Sequence, residues 1–339
     1  MKNLLNIFLI LLSIIIPLKT EGQLPLLSKW DMPVKKYTEN HGIPTFNITS
    51  ILQDHEGFIW FSTPDGMYRF DGYEFEEIEP GPNDFGPLGD KNIWCSFVDK
   101  EGNIWAGTME GGIIIYDQSL RRFSNFSRNE SIGSWVMHIM EDSKNRIWIS
   151  SNMGLSCYYP EDNRIENFFY QEENPDALPE NQVRMTYEDD LGNIYAITSG
   201  GYLYFHQNSK KSFKSYRITN PLKPSEKIIP NFIYQYSSRE ILIGTNKGLY
   251  TLNPDDFTFS AYQCSSGVDL NGKNIYRIFE AFPGILWLGT WDEGIIELDL
   301  RGSESDSLIK CRNIDEFTNV SPRSFFKDTQ GNIWIGTTK

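Results

Sequence analysis

Apolar positions in this chain come in short bursts separated by glycine turns, without the three-to-four-residue spacing of an amphipathic helix. One burst recurs. Ile59-Trp60-Phe61-Ser62-Thr63 returns as Ile104-Trp105-Ala106-Gly107-Thr108, Ile147-Trp148-Ile149-Ser150-Ser151, Ile194-Tyr195-Ala196-Ile197-Thr198, Ile241-Leu242-Ile243-Gly244-Thr245, Leu286-Trp287-Leu288-Gly289-Thr290 and Ile333-Trp334-Ile335-Gly336-Thr337. The steps between the second residues, the anchors, are 45, 43, 47, 47, 45 and 47 residues. That period is the length of a four-stranded propeller blade and lies outside the range of leucine-rich and most helical repeats.

Turn signals place the strands. Six residues before an anchor stands Asp54, Asp99, Asp142, Asp189 or Asp328, and three before it Gly57, Gly102, Gly192, Gly284 or Gly331, with Asn145 as a left-handed-tolerant substitute. Asp-x-x-Gly between two apolar runs predicts a tight hairpin, in which Asp bonds the turn backbone and Gly takes positive φ. A second glycine turn follows the anchor, as in Gly66-Met67-Tyr68 and Gly248-Leu249-Tyr250, and a last strand is marked by Phe75, Phe123, Phe168, Phe213 and Phe257. The pattern predicts an all-β, seven-bladed β-propeller with four antiparallel strands per blade, in which the aromatic residues are mostly filler between blades.

Two copies depart from the pattern. In copy five Tyr236 replaces the turn Asp and Arg239 the Gly, and Asn231 stands 11 residues before its anchor where Asn47, Asn92 and Asn274 stand 13 before theirs, which predicts a shortened inner hairpin. Copy seven ends at Thr337-Thr338-Lys339, just after its second strand, so the last blade is incomplete and the chain reads as an N-terminal piece, or an interrupted gene, of something longer. Val34-Lys35-Lys36-Tyr37 resembles a fourth strand able to close the ring from the N-terminus.

Composition and charge narrow the function. Of 339 residues 14% are aromatic, too many for a disordered chain. A net charge of −14 argues against nucleic acid and anionic membrane, whose binders present basic stripes. Cys95, Cys157, Cys264 and Cys311 have no metal-ligand spacing, so no metal site or cofactor is expected, and disulfides are not favoured. Lys2, the 13-residue apolar run from Leu4 to Ile16, and Thr20-Glu21-Gly22 before Gln23 read as a secretory signal peptide over residues 1–22, since the run is too short to span a membrane. Residues 23–339 then form the propeller.

Asp54-x-x-Gly57-Phe58-Ile59-Trp60-Phe61-Ser62-Thr63-x-x-Gly66-Met67-Tyr68-Arg69-Phe70-Asp71-Gly72 and Asp99-x-x-Gly102-Asn103-Ile104-Trp105-Ala106-Gly107-Thr108 resemble the two-component-regulator propeller repeat, and the likeness covers residues 30–339. The resemblance implies the N-terminal periplasmic sensor of a Bacteroidetes-type hybrid two-component system. In that family two propellers precede a β-sandwich, a membrane helix, a histidine kinase, a receiver and a DNA-binding domain, and the sensor detects oligosaccharides from glycan breakdown. The implied partners are an oligosaccharide and the downstream sensor and kinase domains, and a homodimer is compatible with that arrangement.

Catalytic motifs fail. His55-Glu56 lacks the second His of a zinc protease, Asp269-x-Asn271-Gly272 lacks the remaining ligands of a calcium loop, and no phosphate-binding or nucleophile-elbow glycine motif is present. The chain is therefore read as a binding module and not an enzyme. Streptogramin-type lyases repeat a similar phrase on a seven-bladed ring, but they need His and acidic groups clustered on one face, and here only His138 falls on an inner strand. A protein-interaction scaffold is a third reading.

The candidate ligand site is where the frame varies. Eleven residues before the anchor stand Thr49, Trp94, Met137, Arg184, Tyr276 and Arg323, expected to ring one mouth of the central channel, and blade six adds Trp291-Asp292-Glu293 in its loop. Aromatic faces stack on sugars while charged groups meet hydroxyls, so Trp94, Arg184, Tyr276, Trp291, Asp292 and Arg323 are the candidate oligosaccharide ligands. Interblade packing is the competing role for Trp94 and Tyr276; for Trp291 the repeat dictates no packing at all.

Overall fold

The computed structural model describes residues 33–43, 47–81, 84, 90–126, 132–174, 176–207, 213–220, 223, 225–237, 240–264, 266–301, 310–318 and 320–338. The expected signal peptide and Arg239 lie outside them. The chain divides into Met1–Tyr37 and Thr38–Lys339. Residues 33–37 of the first unit carry no strand, so the expected closing strand at Val34–Tyr37 does not form there.

The second unit is a ring of antiparallel sheets, six with four strands in simple up-and-down order and a seventh with two. Blade six carries a short extra strand, Ser266–Gly267, parallel to its outermost one. The inner strands are Ser50–Gln53, Ile93–Val98, Val136–Glu141, Val183–Glu188, Pro230–Ser237, Ile275–Phe282 and Pro322–Lys327, and each pairs with a second strand that carries the repeated anchor phrase. Those second strands are wholly buried in blades one to four, because each has another blade on both faces.

Each part of the repeated phrase has a mechanical reason. The turn Asp takes backbone N–H groups on one oxygen, two at Asp54, Asp142 and Asp328 and that of Asn103 at Asp99, and the anchor side chain on the other: Trp60, Trp105, Trp148 and Trp334 donate their indole N–H to Asp54, Asp99, Asp142 and Asp328 at 2.6, 2.7, 2.7 and 2.8 Å. Tyr195 does the same through its hydroxyl to Asp189 at 3.1 Å. A buried indole therefore carries its own acceptor, and the hairpin is locked to the strand that follows it. The glycines after the Asp have positive φ, +89° at Gly102 and +87° at Gly331, as expected. The closing Thr or Ser holds the next turn: Thr63 Oγ1 donates to Gly66 O and accepts from Asp65 N, both at 3.0 Å. The small residue before it admits the neighbouring blade, since a Cβ on Gly107 would lie 2.6 Å from Val136 Cγ1.

The aromatic residues pack across these seams. Trp60 meets Tyr116 at 5.1 Å between ring centroids, and Trp105 meets Tyr158 at 6.0 Å. The same packing joins blade seven to blade one, where Trp334 lies edge-on to Phe61 and Phe70, each at 5.7 Å, and Ile48 N donates to Thr337 O at 3.2 Å.

Three sequence expectations are corrected. Blade five is not shortened: Tyr234 pairs with Leu242 just as Phe97 pairs with Trp105, eight residues before the anchor in each case. What differs is the tip, where both strands continue to the Ser237–Glu240 pair in place of an Asp turn. Phe257 is not on the fourth strand of its blade; it sits in the preceding turn with φ +58°, and the strand is Phe259–Ala261. Cys264 and Cys311 form a disulfide, their Cα atoms 5.9 Å apart, tying the segment after blade five to the outermost long strand of blade six. The pair is brought together by a crossing between blades, which cysteine spacing does not reveal.

Candidate functional site

All seven inner strands converge on one central cavity of about 380 Å³. In each of blades two to seven the strand pairing shifts register at one shared place, and blades five and six shift a second time nearer the tip, between Gln235 and Ser237 and between Glu280 and Phe282. Between Ile93 and Cys95, Val136 and His138, Val183 and Met185, Pro230 and Phe232, Ile275 and Arg277, and Pro322 and Ser324, one residue is left unpaired. These bulged residues are Trp94, Met137, Arg184, Asn231, Tyr276 and Arg323. A bulge re-aims the side chain it carries and breaks strand alternation. Five of the six predicted ring positions are thus bulges, and blade five supplies the missing member, Asn231. In blade one Thr49 precedes the strand and spends its hydroxyl on Ser62 O and Ile93 O, at 3.0 and 2.7 Å.

The six candidate ligands separate into two groups. Trp94, Arg184 and Tyr276 line the cavity; Trp291, Asp292 and Arg323 do not. The second group is still connected to the first. Arg323 stacks its guanidinium over Trp291 at 4.1 Å and over Tyr276 at 4.9 Å, and the Tyr276 and Trp291 rings are 5.5 Å apart. Trp291 is therefore packed as well as 40% exposed, a role the repeat alone does not indicate. Asp292 accepts from Ser321 Oγ at 3.2 Å, which fixes the same loop.

Sequence reasoning missed a second ring. The residues one place further along, Ser50, Cys95, His138, Met185, Phe232, Arg277 and Ser324, also line the cavity. Alternation would turn them away from the channel, but in blades two to six a bulge sets two residues against one and lets both face it. The available signal was positional: all seven stand ten residues before an anchor. Trp135, another lining residue outside the expectation, meets Trp94 edge-on at 5.6 Å.

Electrostatically the cavity is unlike the chain that builds it. Its lining includes Arg184 and Arg277 and no carboxylate among the described residues. Arg277 donates to Tyr276 O at 3.1 Å and lies over the Phe232 and Tyr276 rings at 5.4 and 5.1 Å. Burial, aided by the guanidiniums of Arg323 and Arg184, pulls its pKa below the usual arginine value. Burial first and Arg277 second bring His138 down to about 4, so the imidazole is neutral near pH 7, and its Nδ1 accepts from Thr186 N at 3.4 Å. Burial raises the Cys95 thiol to about 12, which leaves it protonated and unreactive. No group of three or more metal-ligating side chains occurs among the described residues.

Residues 43–65, 87–110 and 316–339 match the family model described as two component regulator propeller, and the chain carries that repeat. No curated protein matches the sequence. Among solved structures, the chain is similar to the extracellular domain of the putative hybrid two-component system BT3049 from B. thetaiotaomicron, with 25% identity and a TM-score of 0.73 over 89% of this chain and 40% of that one. The extracellular domain of the putative hybrid two-component system BT4673 from the same organism follows at 21% identity and a TM-score of 0.71, over 88% of this chain and 38% of that one. The chain thus spans about 40% of the first of these relatives. The C-terminal WD40 domain of Sif2 shares the fold alone, at 12% identity and a TM-score of 0.57, with 87% of this chain and 94% of that domain covered. No helix among the described residues is long and apolar enough to cross a membrane.

Proposed function

We propose that this propeller is the extracytoplasmic, periplasm-facing sensing module of a two-component regulatory system, and that it binds a glycan-derived oligosaccharide in the central cavity. The observation that carries this reading is the bulge repeated at one position of six blades. A fixed frame presents different side chains there, Trp94, Met137, Arg184, Asn231, Tyr276 and Arg323, around one opening. Indole and phenol faces offer stacking surfaces for pyranose rings, and Gln182 and Ser199 offer donors and acceptors for hydroxyls, while the Asn231 amide donates to Asn274 Oδ1 and Ile275 O at 2.8 and 3.0 Å and offers its Oδ1 as an acceptor. The cavity volume falls within the range of small-molecule sites. The likeness to an extracellular domain of a putative hybrid two-component system supports the sensing role. On this reading the signal passes to downstream sensor and kinase domains of a longer polypeptide.

Calorimetry of the chain against a panel of glycan fragments tests the proposal. A saccharide bound with a dissociation constant in the micromolar range, and weakened tenfold or more by Trp94→Ala, is the expected result. Binding that is indifferent to Trp94, Arg184 and Tyr276 substitutions would move the site elsewhere. The lyase reading requires a general base beside an acidic group, and the cavity lining offers His138 with no carboxylate beside it among the described residues.

A further inference from the structure

The central cavity gathers positive charge and unused hydrogen-bond donors inside a protein of net charge −14. Arg184 and Arg277 line it, and Arg323 stands at its rim on Tyr276, which also lines it. Among the described residues none of the three makes an ion pair, although eleven ion pairs occur elsewhere in the chain. Arg323 Nε, Trp135 Nε1 and Ser324 Oγ are buried without a hydrogen-bond partner among the described residues. Guanidiniums that repel one another, at a site lacking carboxylates, are expensive to keep unless something else supplies the negative charge. Cation–π contacts to Phe232 and Tyr276 offset part of the cost for Arg277, but they leave most of its N–H donors unused.

We propose that the cavity is an anion site, and that the saccharide it takes is acidic, carrying a carboxylate or a sulfate group held by Arg277 with Arg184 and Arg323 while a sugar ring lies against Trp94 or Tyr276. This deepens the sensing proposal and rests on it for the saccharide, although the anion site itself does not. A planar guanidinium matches both groups through two parallel N–H···O bonds, and the buried donors of Trp135 and Ser324 suit a ligand rich in acceptor oxygens. Neutral saccharides would gain stacking and hydroxyl hydrogen bonds but leave the guanidiniums without a counter-charge.

The test uses the full chain with glucuronate, galacturonate, inorganic sulfate, a sulfated hexose, and glucose and galactose as neutral counterparts, read by thermal shift and calorimetry. The acidic probes are expected to raise the melting temperature and the neutral sugars to leave it unchanged at equal concentration; the uronate and sulfate arms separate the two anion chemistries. Arg277→Met is expected to raise the melting temperature of the free protein, because a repelling buried charge is gone, while abolishing the response to anions. Arg184→Gln should weaken that response about tenfold without loss of fold, and Arg277→Lys should keep part of it. A neutral sugar that binds as well as its acid overturns the anion proposal and leaves the sensor reading standing. A sulfate response that depends on Arg277, with no response to any saccharide, supports the anion site and overturns the glycan. No response to any anion, or one that survives Arg277→Met, overturns the inference.

Discussion

The two ends of each inner hairpin share one backbone frame and spend their polar groups differently. At the turn end, the Asp of blades one to four and seven accepts from its own hairpin and from the anchor side chain, so donors and acceptors are matched locally. At the bulge end, the Arg184 and Arg277 guanidiniums line a cavity without a carboxylate among the described residues, and Trp135 Nε1 and Ser324 Oγ of the same lining are buried without a hydrogen-bond partner there. The first end is built for stability: in these five blades the anchor side chain is satisfied by an Asp six positions before it. The second end accepts desolvation and repulsion, the pattern expected where a ligand completes the set. Blades five and six lack the turn Asp, and in them the strand pairs continue to Ser237–Glu240 and Phe282–Ile285.

Breaking the turn end should cost the most. Asp99→Ala removes the acceptor of Asn103 N, Asn103 Nδ2 and Trp105 Nε1, at 2.7, 3.0 and 2.7 Å, and leaves a buried indole unpaired. A loss of about 3 kcal/mol or more in denaturant unfolding is expected, with ligand affinity unchanged in the folded fraction. Gly102→Val and Gly331→Val come next, at roughly 1–3 kcal/mol for forcing a β-branched residue to positive φ. The Gly102 variant should be the worse of the two, because its Cβ would meet His55 Nδ1 at 3.1 Å whereas Gly331 has open space around it. Equal effects would show that backbone strain alone sets the penalty.

At the bulge end the order reverses, with binding lost before stability. Trp94→Ala and Arg184→Ala should weaken ligand binding by about 1–3 kcal/mol, by analogy with aromatic and arginine hot spots, and change unfolding by less than about 1 kcal/mol. Trp291→Ala sharpens the contrast, since Arg323 lies 4.1 Å above its ring. It should cost about 0.5–1 kcal/mol of stability as well as affinity, and a fully silent unfolding curve would mean that the stack contributes nothing.

The last effect concerns pH. His138 has a folded pKa of about 4 against 6.5 for the free side chain, so between those values the unfolded chain binds the proton and the folded one does not. Stability should therefore fall as pH drops from 6.5 toward 4. His138→Gln should flatten that part of the profile by on the order of 1 kcal/mol, measured by unfolding at pH 4.5 and 7. An unaltered slope would show that His138 titrates normally, reached by solvent through the cavity mouth.

The period, the strand count and the turn chemistry were legible because they are local. An Asp that bonds a residue four positions on, a Gly at positive φ, and a Trp six positions after its acceptor all repeat within one blade, so a single sequence shows them seven times with variations. The first ring of the candidate site was legible for the same reason, as a variable position at fixed distance from a constant one. Only the tertiary structure decided the rest. It placed Cys264 against Cys311, set Trp334 against Phe61 to join the first and last blades, and, through the bulge, turned Arg277 and His138 into the channel beside Trp94 and Tyr276. Those relations depend on contacts between blades some 45 residues or more apart and on a break in strand alternation, and neither leaves a mark in the local pattern of apolar and polar residues.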